Sequence, residues 1–510
     1  MESTTDSYDY VVVGGGTAGS VLAARLSEPG DARVLLLEAG TAQTSPDMST
    51  PPAWPALLRT SADWGDTTVP QRAGGTGVLL GRGRTLGGGS AINAMNFVRG
   101  HRSSYEAWAG TGLEEWGFDG LLPYFKRSEN TSGRDPALRG VGGPLTVGPP
   151  DPPHPVVAAM LEAAAETGHP RATDISGGAE EGFGWSDLNI VGGRRQSAAD
   201  AYLGPALHRP NLTVVTGTHV RRLHISGGRC TAVEYVTRRG RAALVGCSGE
   251  VVVTAGAIGS AQLLMLSGIG PAEHLRGTGV DVLVDLPGVG SDLQDHPVAN
   301  LVYRSARPVP AGVNNHGEAL GLVRSAAALD GPDLQVLFVD AAGHVPSADG
   351  PGPGQGYTIA VSAILPHSRG SVRLASADPD VLPLVDPDYY ADGRDLAAVV
   401  EGLRLAREIG QADALGDWRG HEVLPGPQVA DDAGLREYAL SALCSYMHPV
   451  GTCRMGGRDD AGSVVDRALR VHGIDGLRVA DASVIPSIPS ANTNATVYAI
   501  AERAAELLRS

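Results

Sequence analysis

Lysine is almost missing from this chain of 510 residues: among 40 basic side chains, Lys126 is the one lysine. Schiff-base chemistry therefore has a single candidate, and its neighbours (PYFKRSEN) do not describe a buried amine. Aromatic residues make only 5% of the sequence, too few to single out a cage for a quaternary ammonium group. The four cysteines, Cys230, Cys247, Cys444 and Cys453, have no metal-ligand spacing and are too few for a disulfide scaffold, so they read as reduced thiols. No apolar run approaches the roughly 20 residues that cross a bilayer, which excludes an integral membrane segment of helical type. The opening MESTTDSYDY lacks a basic n-region and an apolar h-region, and a cytoplasmic protein is the expectation. Excess acid, with a net charge of −16, argues against a nucleic-acid or anionic-membrane partner. With 42% hydrophobic residues the chain can bury a large core, and its length corresponds to about three domains of ordinary size. Glycine (70) and proline (35) lack collagen periodicity and point to tight turns and close backbone approaches.

The first pattern that carries chemistry lies near the start. Residues 10–13 (YVVV) read as a buried strand, followed by Gly14-Gly15-Gly16-Thr17-Ala18-Gly19, a helical stretch at 20–27, and a second apolar run at 34–37 ending in Glu38. Strand, GxGxxG, helix, strand and acid in this order form a dinucleotide-binding fingerprint. Gly14 permits the tight turn, Gly16 lets a pyrophosphate approach the backbone, and Gly19 lets helix and strand pack closely. The helix N-terminus offers free N–H groups and partial positive charge to that pyrophosphate. Glu38 is placed to accept ribose hydroxyls. The fingerprint alone does not separate FAD from NAD.

Further along, α/β punctuation continues without repeats. A helix is predicted over 156–167, strands over 212–215, 230–236 and 250–254, and a helix over 260–266. The Pro/Gly-rich stretch 346–356 reads as a mobile loop, a surface linker in preference to an active-site lid. A strand at 476–481 and a helix over 494–508 close the chain.

Five ordered blocks carry a resemblance. GRTLGGGSAINAMNFVRG (83–100), GAIGSAQLLMLSGIG (256–270), GVGSDLQDHP (288–297), HPVGTCRMG (448–456) and the long block 464–508 resemble, in order, the signatures of the glucose–methanol–choline (GMC) oxidoreductases. The resemblance implies an α/β (α+β overall) fold: a Rossmann-like FAD-binding domain assembled from discontinuous segments, plus a substrate-binding domain with an antiparallel sheet. On this chain it implies an FAD-binding domain from 1–155, 195–300 and 460–510, and a substrate-binding domain from 156–194 and 301–459. It also implies FAD as the dinucleotide, with the ADP half on Gly14, Gly16, Thr17, Ala18, Gly19, Glu38 and Ala39. Val220, Ala255 and Gly256 match positions along the adenosine and pyrophosphate. Arg84, Gly87, Gly88, Asn93, Ala94 and Met95 fall in the first signature, toward the isoalloxazine. Asp481, Ala482 and Asn494 complete the cofactor set, Asn494 either contacting flavin or capping the last helix. Ile92 stands where covalent members carry the histidine bonded to the ring, so the FAD is expected to be noncovalent. Gly89 and Ala261 replace a commoner serine and proline.

The same resemblance places the catalytic pair. His448, in the HPVGTC turn, matches the family's base, a role that suits an imidazole whose ordinary pKa lies near working pH. Asn492 matches the family's second polar position, where an amide can donate a hydrogen bond to the substrate oxygen but cannot take its proton. The implied reaction is FAD-dependent oxidation of a small-molecule alcohol to aldehyde or ketone, with hydride passing to the flavin and O2, a quinone or another acceptor reoxidising it. Two other readings share the scaffold: a hydroxynitrile-lyase-like cleavage and a light-driven decarboxylation. Cys444 and Cys453, flanking His448, are expected to pack rather than react. Asp292, Asp295 and His296 could pass for metal ligands, but in this family context they are expected to order a loop near the cofactor, and no metal is expected. Residues 300–445 are the least patterned; Phe338, His344 and Tyr357 there could face solvent, core or pocket. Neither the particular alcohol nor the oligomeric state is legible.

Overall fold

A computed structural model of the chain describes residues 3–42, 45–326, 329–343 and 350–510. His344 and residues 346–349 of the Pro/Gly-rich stretch thus lie outside the described residues.

The β-branched run at the start forms the middle of a seven-stranded sheet. Strand Ser3–Val13 lies between Val34–Glu38 and Ala242–Val253, parallel to both, and Leu212–Thr216 extends the parallel part beyond Val34–Glu38. Val34–Glu38 is buried at all five positions because helices cover both faces of a parallel sheet, and it therefore reads as a continuous apolar run rather than an alternating one. Beyond Ala242–Val253, two antiparallel strands, Arg229–Thr237 and Thr218–Ser226, complete that edge.

The chain returns to this sheet at its end. Leu477–Val479 adds in parallel beside Ala242–Val253, with Val251 opposite Leu477 and Val253 opposite Val479. Helix Asn494–Arg509 then packs on the first helix, Thr17–Leu26. Its fully buried Glu502 accepts from Arg25 at 2.8 Å and from the Tyr202 hydroxyl at 2.7 Å, so its charge is paired where it is buried.

A second seven-stranded sheet is antiparallel throughout. Its path runs Arg419–Leu424, Pro297–Ser305, Gly356–Ala363, Leu334–Val339, Ala319–Val323 and Gly182–Trp185, with Cys444–Ser445 pairing onto Pro297–Ser305. Helices Pro155–Glu166 and Gly393–Gln411 contribute Val156, Met160, Val399 and Leu403 to its core. Phe338 and Tyr357 belong to this core: Phe338 stacks on Phe183 with centroids 5.5 Å apart, and Tyr357 on Tyr303 at 5.4 Å. Gly356–Ala363 is buried at all eight positions, which explains why this region shows no two-residue alternation in the sequence. Packing in 301–459 is shared between the two cores. Val372, Leu374 and Val385, and then Val450, Cys453 and Met455, bury against the first sheet's core. Among the described residues, no helix is long and apolar enough to cross a membrane.

Candidate active site

The glycine loop takes its shape from contacts that a side chain would destroy. Gly14 holds φ +106°, and a Cβ on Gly19 would lie 1.9 Å from the Gly14 carbonyl oxygen, so helix and strand meet here backbone to backbone. Gly16 differs: a Cβ there would meet nothing closer than Gly88 Cα at 3.9 Å. That open side borders an elongated cavity running from Glu38, Ala39 and Val220, past Gly14, Gly16, Ala255 and Gly256, to Asp481, Ala482 and Asn494. The N-terminal turns of three helices, Thr17–Leu26, Gly256–Leu266 and Asn494–Arg509, line it, and none has a side-chain cap. Three helix N-termini on one cavity suit a pyrophosphate, although the Gly256 N–H is engaged by Asp481.

Glu38 is buried, and its two oxygens accept from Gly15 N and Gly40 N, each at 2.7 Å. Burial pushes this carboxyl up to about 7, against the pull of those two N–H groups and of Arg84 and Arg82. Asp481 is also buried. It accepts from Gly256 N (2.8 Å), Ser260 Oγ (2.5 Å) and Ser483 N (2.8 Å), tying the second signature block to the last strand. Burial raises its carboxyl above the usual range.

At Gly81, Gly89, Met447, Thr493 and Asn494 the cavity meets a second chamber of about 530 Å³. Ile92 and Asn93, Ala94 and Met95 form one wall, and His448 and Asn492 another. Among the chamber's lining residues are non-glycine positions with left-handed backbone, including Met95 at φ +58° and Met447 at φ +63°. Each of these methionines is held by a polar side chain two residues earlier: Asn93 Oδ1 accepts Met95 N at 3.0 Å, and Ser445 Oγ accepts Met447 N at 2.7 Å. The left-handed Met447 immediately precedes His448.

The imidazole of His448 is part-buried and borders the chamber. Its Nε2 lies 3.3 Å from Asn492 Nδ2, its Nδ1 lies 3.0 Å from His296 Nδ1, and its face stacks on Tyr446 at 4.7 Å. Its backbone N–H donates to Asp295 Oδ1 at 2.7 Å, while Asp295 Oδ2 accepts from Ser445 and Tyr389. Burial pulls the His448 pKa down to about 3 and that of His296 well below its ordinary value. Asn492 is oriented from its other side, its Oδ1 accepting from Gln335 Nε2 at 3.4 Å.

Most of the cofactor residues expected from the sequence meet along these two spaces. Three do not. Gly19 and Gly87 serve packing, Gly87 N donating to Gly15 O at 2.8 Å. Arg84 is exposed and lies over the Trp64 ring at 4.7 Å, bordering a separate small cavity, whereas its neighbour Arg82 lines the nucleotide cavity with Trp64 and His219. Asn494 accepts no capping hydrogen bond from its helix; its Oδ1 accepts instead from Thr17 Oγ1 at 2.9 Å. Cys453 is buried, but Cys444 opens onto the chamber instead of packing inside. Asp292 pairs with Arg454 at 2.9 Å, apart from Asp295 and His296, which hold the histidine itself.

Sequence reasoning missed Arg82, Trp64, His219, Gln335, Arg195 and the roles of Asp295 and His296. Arg195 is buried and holds Asn93 Oδ1 at 2.7 Å from behind the wall. Gln335 lies on a strand with no alternation to reveal its facing, but Asp295-His296-Pro297 stands inside a recognised block and was open to a closer reading.

The GMC oxidoreductase family models match at residues 8–298 and 366–501. The oxygen-dependent choline dehydrogenase of Rhizobium johnstonii is 39% identical over 98% of this chain and 95% of its own length. Pyridoxine 4-oxidase from Mesorbium loti superposes with a TM-score of 0.94 at 40% identity, covering 98% of both chains. Formate oxidase of Aspergillus oryzae RIB40, in a variant made to study FAD modification, superposes at 0.91 with 30% identity over 99% of both.

Proposed function

The chain belongs to the GMC oxidoreductase family, and from that premise we propose that it oxidises an uncharged alcohol to the aldehyde or ketone with bound FAD, His448 taking the hydroxyl proton and Asn492 holding the oxygen. The observation that carries the reading is the meeting of two spaces: a nucleotide cavity with three uncapped helix N-termini opens at Met447 and Asn494 onto the chamber that holds the His448–Asn492 pair.

The residues fit the cofactor. Gly16, Thr17, Gly256 and Asn494 would hold the pyrophosphate, Glu38 and Val220 the adenosine, and the wall 92–95 the ring, with Arg82 in reach of the same cavity. FAD, when bound, supplies the acceptor for the hydride leaving the substrate carbon. Ile92 packs with Met48, Leu57 and Ala91 and offers no nucleophile, which supports noncovalent attachment. Acid precipitation should release all of the yellow colour into the supernatant; colour left on the pellet would refute this.

The chamber favours an uncharged substrate with an apolar body. Trp54, Leu58, Ile92, Leu337 and Val339 line it with six asparagine amides, His316 on its wall is hydrogen-bonded to the buried Asp340 at 2.6 Å, and among its described lining residues there is no Asp or Glu. Tyr446 is occupied by the His448 ring and Gln335, so it is not free to wall a cation. This reading departs from choline, the substrate named for the Rhizobium relative, and agrees better with the flat, hydroxymethyl-bearing class to which pyridoxine belongs. The names "oxygen-dependent" and "oxidase" among the relatives favour O2 as acceptor. Cyanide-releasing cleavage and photodecarboxylation have no counterpart among the relatives named above.

An anaerobic stopped-flow screen tests the proposal. Benzylic and heteroaromatic primary alcohols should bleach the flavin faster than choline. His448→Ala should retain FAD and slow bleaching on the order of 10²-fold or more, and Asn492→Ala less. Bleaching at the parental rate in His448→Ala would refute the assignment of the base.

A further inference from the structure

Two histidines share one hydrogen bond through nitrogens of the same kind, and only one arrangement of protons satisfies both. His296 is fully buried, with Nε2 3.1 Å from the Ile364 carbonyl oxygen and Nδ1 3.0 Å from His448 Nδ1. A carbonyl oxygen accepts and never donates, so His296 Nε2 must carry its hydrogen. A neutral ring has one N–H, which leaves His296 Nδ1 as a lone pair. That lone pair can be satisfied only if His448 Nδ1 bears the hydrogen between the rings. His448 Nε2 is then unprotonated and faces Asn492 Nδ2 and the chamber.

We propose that His296 is a positioning residue that holds His448 in the Nδ1–H tautomer, so that the basic lone pair on Nε2 is presented to the substrate hydroxyl. The inference rests on the reading of His448 as the base and adds what prepares it. The Asn492 amide, turned by Gln335 so that Nδ2 faces His448 Nε2, agrees with the same tautomer from the chamber side, while Asp295 engages the backbone of His448 and Tyr446 covers its face. Burial disfavours a second proton on either ring, which keeps the pair in the single-proton arrangement between them. When the substrate O–H bond breaks, its proton goes to Nε2, the bond's electron pair stays on the substrate oxygen, and the Nδ1–H bond to His296 remains, now donated by a cation and stronger. A histidine therefore does here what a carboxylate does in a serine-protease triad, without adding a buried negative charge.

The test uses the oxidised holoenzyme with 15N-labelled histidine, His448 being assigned by loss of its signals in His448→Ala. The expected spectrum shows a protonated Nδ1 and an unprotonated Nε2; a protonated Nε2 overturns the proposal whether or not His448 is the base. Two variants read the consequence. His296→Leu removes the acceptor and should slow anaerobic flavin reduction by about 10²- to 10⁴-fold, the range set by a base in the wrong tautomer, while moving the His448 proton toward Nε2. His296→Asn keeps an acceptor oxygen near the old Nδ1 and should stay within about tenfold of the parent. A parental rate in His296→Leu, or equal loss in both variants with FAD retained and the tautomer unmoved, overturns the positioning role. If His296→Leu fails to retain FAD, the spectrum of the parent protein and the rate of the Asn variant still decide. Failure of the base assignment is separate, read from His448→Ala alone.

Discussion

At Gly19 the absence of one carbon sets the geometry of the cofactor end. A methyl group there would overlap the Gly14 carbonyl, which the strand cannot withdraw without losing its place beside Thr254. Gly19→Ala should therefore cost about 1–3 kcal/mol, as overpacking does, and lower FAD content; a denaturant titration and the ratio of flavin to protein absorbance check both. His448 gives a pH dependence whose sign is definite. Its folded pKa, about 3, lies below the ordinary 6.5, so the unfolded chain takes up a proton that the folded protein refuses. The resulting stability is complete above pH 6.5 and is lost progressively toward pH 3, at up to about 1.4 kcal/mol per pH unit. Glu38 acts in the opposite sense, since its raised pKa of about 7 adds stability at low pH that disappears as pH rises. The histidine's share is thus best isolated by difference. Unfolding titrations at pH 7.5 and 5 should show the parent losing more stability on acidification than His448→Ala.

Among the elements, the stretch from Met95 to Gly100 depends most on partners distant in sequence. It emerges from the chamber wall, and Arg99 ends it fully buried, donating to Glu129 at 2.5 Å. Glu129 also accepts from Arg139 Nε at 3.0 Å and Gly140 N at 2.8 Å, and Arg139 reaches Asp187 at 2.6 Å. Phe97 N donates to the backbone of that same Asp187. Removing the shared carboxylate leaves two guanidinium groups buried together. Glu129→Ala should cost about 3–5 kcal/mol, with Glu129→Gln intermediate; an unchanged unfolding midpoint would show that the network does not hold this wall. The first and last helices lie within three residues of the pattern's bounds, whereas the first strand extends back from the apolar run at 10–13 to Ser3. The strands of the second sheet carry no such local signal. Gly356–Ala363 and Ala319–Val323 are buried on both faces, so the two-residue period that reveals a half-exposed strand is absent.

Over the whole molecule, neither sheet is made from one continuous stretch. The first needs Leu477–Val479, and the second takes Gly182–Trp185 from far upstream, with helix Pro155–Glu166 over its core. A fragment of residues 297–445 should accordingly fail to fold, since its sheet edge and half of its cover lie elsewhere. A dispersed NMR spectrum from that fragment would contradict this. Packing of 372–385 and 450–455 into the first core ties the two sheets together, and strands of the second sheet line the chamber.

Sequence alone was enough for the dinucleotide fold, which is written in residues close together whose spacing the backbone enforces locally, and for the family, whose ordered blocks singled out His448 and Asn492 by resemblance. What required the folded chain was orientation. The Nδ1-to-Nδ1 contact with His296, the clamp of Gln335 on Asn492 and the largely neutral lining of the chamber all join residues about 40 to 160 positions apart. Their chemistry depends on distances near 3 Å, and such distances arise only when two sheets close over one another.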